Sequence, residues 1–447
     1  MEYRLWIKKT EEWLFYLFLV SVPFSIRHIF GYDPVGFMEW KAISVYGTDI
    51  LISTLFIYWA IHSNFKFLIF NFKKSDWLLV GFVAVAGISI TNAIDQKVAL
   101  FQWLKLIEMA ALYFYVKYYV LKRFELSKCF IALVIGGLIQ SAVAISQFMV
   151  QHSIGLKYLG ESVLAPNMTA IAAFFSGGVK IMRAYGTTVH SNVLAAYLFL
   201  SLAAFYFISI YEKRKWFWYL FHAVTIWAFL LTFSRVIIGI WLLNFIIRTV
   251  LYRFYPSFKK VFWSKTEMRQ RGLKVFTVTV LVCLAFSVAY WPYVKDRVSL
   301  SGSDEAFQLR VFYNQEALFK EVSLFGVGIG NFVPWLMRQP LPQGGPVQGH
   351  PVGIGLPAEQ YQPVHNIYLL IYSELGIVGL ALFLLFLVFV VYEFVIRTRF
   401  KRPYHVSFAL IFASVLAMGL FDHFYWTIQS GQLLFWLTVG LISSNNV

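Results

Sequence analysis

Twelve long apolar stretches constrain this chain more than anything else in it. They lie near residues 12–29, 46–61, 76–93, 98–121, 127–150, 191–210, 216–233, 235–254, 273–291, 366–392, 404–421 and 424–442. A helix needs about 20 apolar residues to cross the hydrocarbon of a bilayer, and only backbone that satisfies its own hydrogen bonds can do so. The fold class predicted is therefore an all-α polytopic membrane protein of about 12 transmembrane helices. Composition agrees: 59% of the 447 residues are hydrophobic and only 13% charged, about half the share of charge in a soluble domain. The net charge of +16 does not point to nucleic acid, because the basic residues fall between apolar spans and not on a folded soluble face.

The basic residues set an orientation. Arg4, Lys8 and Lys9 precede the first span; Lys66, Lys73 and Lys74 lie between the second and third; Lys122, Arg123 and Lys128 follow the fourth. Lys213, Arg214 and Lys215 follow the sixth, eight more run from Arg248 to Lys274, and Arg397, Arg399, Lys401 and Arg402 follow the tenth. With twelve spans all of these share one side, which the positive-inside rule makes cytoplasmic, together with both termini. The first span is expected to be retained, since no small-residue cleavage site follows it. Cys129 and Cys283 both sit in apolar spans, so no disulfide framework or metal spacing arises from them.

Two loops fall on the opposite side. In the first, Gln151 to His190, the middle stretch Met168 to Ile181 is too short to span and is expected to form a re-entrant or interfacial helix. The second divides the chain into helices 1–9 (1–291), a large loop (292–365) and helices 10–12 (366–447). Its part from Ser303 to Phe319 reads as an amphipathic helix carrying Arg310, with Ser303 as N-cap and Asp304 and Glu305 in the first turn. A glycine-rich turn, Gly326-Val327-Gly328-Ile329-Gly330, follows. It lacks the strand–loop–helix setting of a nucleotide site. Pro340 to Pro363, dense in Gly, Pro and Gln, reads as irregular.

The loop ends at His365-Asn366, and after nine intervening residues come Gly376 and then Gly379. A histidine there exchanges protons near neutral pH, Asn366 caps the following helix, and the two glycines let another helix approach closely. Three arginines share this side: Arg183 before the sixth span, Arg235 in the tight turn Thr232-Phe233-Ser234-Arg235, and Arg310. Arginine is unfavourable at membrane depth unless it lines a cavity or binds an anion. A solvated loop histidine is the other reading of His365, and snorkelling to lipid headgroups the other reading of Arg235. Arg183 and Arg310, taken singly, also fit a solvated or salt-bridged arginine. As a set, guanidinium groups that grip phosphate oxygens and a histidine that takes a hydroxyl proton suit an anionic, lipid-linked substrate. No Asp-x-Asp pair on this side offers a two-carboxylate metal site.

These residues resemble the signature of the O-antigen ligase and O-antigen polymerase superfamily. His365-Asn366 with Gly376 and Gly379, the Ser234-Arg235 turn, Arg310 with Gly326, Gly328 and Gly330-Asn331-Phe332, Arg183 with Gly186 and His190-Ser191-Asn192, and Asp422-His423 with Gly431 carry the likeness. The resemblance implies a GT-C type glycosyltransferase of the bacterial inner membrane that needs no metal or other cofactor. It would move a glycan, with inversion, from undecaprenyl diphosphate to an acceptor hydroxyl at the periplasmic face. Its partners would be the undecaprenyl-diphosphate-linked glycan, a lipid A-core or other glycan acceptor, and membrane lipids. His365 would be the base, Arg235 and Arg310 would hold the diphosphate, and Arg183 would be a further anion contact. A polymerase joining lipid-linked repeat units is the near alternative. A transporter or flippase is the distant one, and the chain shows none of the inverted symmetry common in transporters.

Overall fold

A computed structural model describes residues 2–31, 37–63, 71–169, 171–211, 215–254, 266–298, 305–319, 324–339 and 360–445. The protein is mostly helical. The first half runs α1 (Glu2–Ser21), β1 (Arg27–Gly31), β2 (Ile43–Tyr46), α2 (Gly47–His62), α3 (Lys74–Ile88), α4 (Gln96–Tyr115), α5 (Leu126–Val150), β3 (Ala173–Ser176), β4 (Val179–Met182) and α6 (Ser191–Tyr211). The second half runs α7 (Trp216–Leu231), α8 (Arg235–Phe254), α9 (Thr266–Ala289), α10 (Trp291–Val298), α11 (Glu305–Phe319), α12 (Phe332–Leu336), α13 (Ile367–Thr398), α14 (Pro403–Gly419), α15 (Phe424–Thr427) and α16 (Gln429–Ser443).

Each of the twelve apolar stretches holds a helix. Among the described residues, six helical stretches are long and apolar enough to cross a membrane: Lys74–Asn92, Gln96–Arg123, Leu126–Val150, Ser191–Ile210, Thr266–Ala289 and Ile367–Thr398. Trp216–Leu231 and Tyr404–Gly419 are apolar but shorter. The rim of the first expected span differs. Helix α1 stops at Ser21 instead of reaching residue 29, because Pro23 cannot donate to a helical turn, and the chain then enters β1. The last expected span is broken at Ile428, whose φ of −112° and ψ of 126° separate α15 from α16.

Strands are the main departure from an all-helical expectation. The described residues of Met168 to Ile181 contain no helix. Ala173–Ser176 pairs antiparallel with Val179–Met182, Phe174 opposite Ile181. Gly177 and Gly178 join them at φ +56° and +80°, the two-residue turn that glycine pairs favour because it matches strand twist. Phe174 and Ile181 are buried while Phe175 is exposed, the period-two alternation of a half-buried strand. The other hairpin pairs Arg27 with Tyr46 and His28 with Val45.

The helices bury polar ties as well as apolar faces. Lys117 meets Asp76 at 2.7 Å with both side chains fully buried, and the hydroxyls of Tyr113 and Tyr118 also donate to that carboxylate. A buried pair of this kind fixes which helices meet more than it adds stability. The aromatic core around Phe82, Phe383, Phe386 and Trp436 locks α13 against α3 and α16.

Candidate active site

The site starts from how α13 begins. Asn366 caps it, its side-chain oxygen accepting from the backbone N–H of Tyr368 (2.9 Å) and Leu369 (3.2 Å). This fixes where the preceding residue, His365, leaves the loop. Ten residues on, Gly376 takes φ +68° and ψ −170° inside α13, a region open essentially to glycine alone, and the helix kinks. Gly379 serves the same kink. A Cβ there would lie 2.3 Å from the Leu375 Cβ of its own helix, so the crowding comes from α13 itself and not from the neighbouring helix expected.

The glycine-rich turn clasps that kink. Val327 and Gly328 donate backbone hydrogen bonds to the carbonyls of Ser373 and Glu374, both at 2.9 Å. Gly326 has φ +67°, and a Cβ on it would sit 2.3 Å from the Glu374 carbonyl carbon. Helix α11 begins at Glu305; the expected cap Ser303-Asp304 lies outside the described residues, as does most of the Pro340 to Pro363 stretch.

One cavity of about 650 Å³ is walled by His365, Arg235, Arg310 and Arg183 together. Four groups from distant parts of the chain thus meet in one space. The wall also carries Arg27, Glu39, Trp40, His190, Asn192, Ser234, Arg297, Asp422 and His423. Five arginines against two carboxylates leave about three positive charges when the histidines are neutral. Arg27 is engaged by Glu39, with one pair at 2.7 Å.

The arginines differ in how they are held. Arg183 is buried and committed: its Nε donates to the Thr232 carbonyl and its Nη2 to Asn192 Oδ1, both at 2.6 Å. Burial, with Arg297 and Arg310 nearby, pushes it down to about 9. Arg297 donates from Nε to the Phe233 carbonyl at 3.2 Å. Arg235 is exposed to the cavity at the first position of α8, and among the described residues it makes no hydrogen bond or ion pair. A cation at a helix N-terminus is repelled by the helix dipole, and the free N–H groups of that first turn want an anion. Arg310, on α11, is likewise without a partner among the described residues.

Asn192 connects the parts. Its Oδ1 accepts from Arg183 and from Ser234 Oγ (3.0 Å), and its Nδ2 donates to Asp422 Oδ2 at 2.6 Å. Asp422 also accepts from the backbone N–H of His423 at 2.8 Å. Burial alone raises a carboxylate, but His423, His365, His190 and Arg310 outweigh it and hold Asp422 below the usual range. The ring of His423 stands edge-on to that of His365 at 4.9 Å, and the Trp40 ring lies 5.3 Å from His423. Burial, then the charges of His423, Arg310 and His190, drive His365 well below its ordinary value, with Asp422 pulling the other way. Its Nδ1 is buried without a hydrogen-bond partner among the described residues. The imidazole is therefore neutral and able to accept a proton.

Among known families, the O-antigen ligase family matches residues 223–384. Over this segment the chain is similar to that family. No curated protein matches the chain. The matched segment supplies Arg235, Arg297, Arg310 and His365 to the cavity, along with the kink and its clasp. Arg27, Trp40, Arg183, His190, Asn192, Asp422 and His423 come from outside it. Trp40 and Arg297 carried no signal in sequence. Asn192 and Asp422 did, within His190-Ser191-Asn192 and Asp422-His423, but nothing in their local pattern gave them a place beside His365.

Proposed function

We propose that the protein is an O-antigen ligase-like glycosyltransferase, metal-independent and inverting. It would move a glycan from undecaprenyl diphosphate to a hydroxyl of a lipid A-core sugar. The reading rests on one observation above all: Arg235, Arg310 and a neutral His365 face the same positively charged cavity. In this reading twelve helices span the inner membrane, both termini and the basic loops are cytoplasmic, and the cavity opens to the periplasm.

The acceptor oxygen attacks the anomeric carbon from the face opposite the diphosphate, which dictates inversion. His365 takes the proton of the attacking hydroxyl as the new carbon–oxygen bond forms. The old bond breaks, and its electron pair leaves with the diphosphate. That leaving group carries the negative charge into the field of Arg235, Arg310 and the first-turn N–H groups of α8, the electrostatic role a divalent cation plays in other transferases. Asp422, fixed by Asn192, favours the imidazolium as it forms. Trp40 offers an aromatic face beside the histidine pair for a sugar ring. Arg183, spent on Thr232 and Asn192, positions the Ser234-Arg235 turn and is a poorer candidate for direct anion contact.

Purified protein supplied with labelled lipid-linked repeat units tests the assignment. Transfer that strictly requires a lipid A-core acceptor supports the ligase; chain growth from the repeat units alone makes the protein a polymerase. His365→Ala should lower turnover by about 10²- to 10⁴-fold while donor binding persists. Unchanged turnover would refute the role of the histidine.

A further inference from the structure

A second opening lies in the opposite half of the helical bundle. It has a volume of about 100 Å³, and its wall is almost wholly apolar, formed by side chains of α1, α5, α6, α14 and α16 such as Phe15, Phe130, Leu200, Phe408 and Leu437. One cation breaks that surface: Arg248 of α8. At 1.5 Å per residue, Arg248 stands about 20 Å along α8 from Arg235, so this crevice is separate from the arginine cavity.

Arg248 is only 8% exposed. Its guanidinium lies 4.8 Å from the Tyr206 ring centre, and Nη2 donates to Asn244 Oδ1 at 3.2 Å. Asn244 is itself tied to Ser414 at 3.1 Å. Nε is buried with no acceptor, and among the described residues no carboxylate comes within ion-pair distance. A guanidinium at this depth is expensive unless an anion neutralises it. The crevice's own chain neighbours say where an anion would come from. Its lining residues Leu121 and Leu126 bracket Lys122 and Arg123, and Ser407 follows Lys401 and Arg402. Basic residues at this end of the bundle would draw an anionic lipid headgroup. Apolar cavities of about this size stay dry and take apolar guests.

We propose that this crevice binds one acyl chain of an anionic phospholipid whose phosphate pairs with Arg248. The lipid would then neutralise the buried charge and fill the seam where α1, α5, α6, α14 and α16 meet.

Native mass spectrometry of the full chain, purified in a mild detergent, tests it. The wild type should retain about one phosphatidylglycerol per chain. Arg248→Met should retain about fivefold less, the factor for one basic contact to an anionic lipid, while Arg248→Lys should keep most of it. Should Arg248→Met fail to fold, the wild type decides alone: added phosphatidylglycerol should raise its thermal midpoint, and phosphatidylcholine or inorganic phosphate should not. Absence of a retained phospholipid, equal retention by wild type and Arg248→Met, a guest that proves to be an isoprenoid, or a midpoint blind to phosphatidylglycerol would each overturn the proposal.

Discussion

Replacing Asn192 by leucine keeps the branching of the side chain and removes all three of its hydrogen bonds at once. Two of these reach charged groups, Arg183 and Asp422, each at 2.6 Å, and the third reaches Ser234 at 3.0 Å. Hydrogen bonds to charges contribute about 1.5–3 kcal/mol each and neutral ones about 1. Both charged partners keep another contact, Arg183 with the Thr232 carbonyl and Asp422 with the His423 N–H. Neither is fully orphaned, so the lower end of the range applies, about 3–4 kcal/mol in total. Asn192→Asp distinguishes this account from simple misfit. It sets a second carboxylate against Asp422, and like charges that close make one of the pair hold a proton. Thermal unfolding of purified protein at fixed scan rate is the assay. Asn192→Leu should be strongly destabilised at every pH, while Asn192→Asp should be worse at pH 8 than at pH 5.5, relative to wild type at each pH. A loss under about 1 kcal/mol for leucine, or a pH-independent effect for aspartate, would refute the idea that this amide ties the two halves of the site.

Other outcomes follow from the same geometry. Arg235→Gln should raise the donor KM far more than it lowers kcat; an unchanged donor KM removes Arg235 from the anion site. Because His365 is neutral well below its ordinary range, the acid limb of kcat/KM should lie below pH 6.5, and a limb at or above 7 contradicts its placement. Burial depresses His190 (to about 3), His365 and His423, so the unfolded chain binds more protons than the folded one below about 6.5. Stability is then full above that pH and falls beneath it, by up to about 1.4 kcal/mol per pH unit for each histidine; equal unfolding midpoints at pH 7.5 and 5.5 would count against this. Gly376→Ala should cost about 1–3 kcal/mol for its backbone conformation alone. Gly326→Ala should cost more, since its Cβ would also collide with the Glu374 backbone; a smaller loss at Gly326 than at Gly376 would show that the clasp gives way.

Hydropathy placed the helices because crossing a bilayer demands a run of apolar residues that any window detects. It misread Met168 to Ile181, where mild apolarity suggested a helix while Phe174-Phe175 and the Gly177-Gly178 pair carry a hairpin. The hairpin signal was local and present; the period was taken wrongly. His365, Arg235 and Arg310 were legible as candidates, Arg235 because a tight turn between apolar helices has no structural need of a guanidinium, and the structure brings all three to one cavity. Arg183 was legible as an anomaly, yet its bonds to Thr232 and Asn192 make it a brace, which only tertiary contacts reveal. Trp40 faces the cavity from a short 3-10 turn and Arg297 from helix α10, and no pattern of residues encodes the direction of either. The same holds for Asp422, which lies 57 residues beyond His365.

The cavity wall draws on widely separated parts of the chain, from Arg27 in β1 to His423 ahead of α15. A ribosome makes those parts at different moments of synthesis. Arg183, Arg235, Arg310 and His365 all precede Asp422 in the chain, so a nascent chain carries these cationic parts before the carboxylate that tempers them. Asp422 and His423 complete the set only once the stretch between α14 and α15 has been made, so the cavity wall closes after its cations are in place.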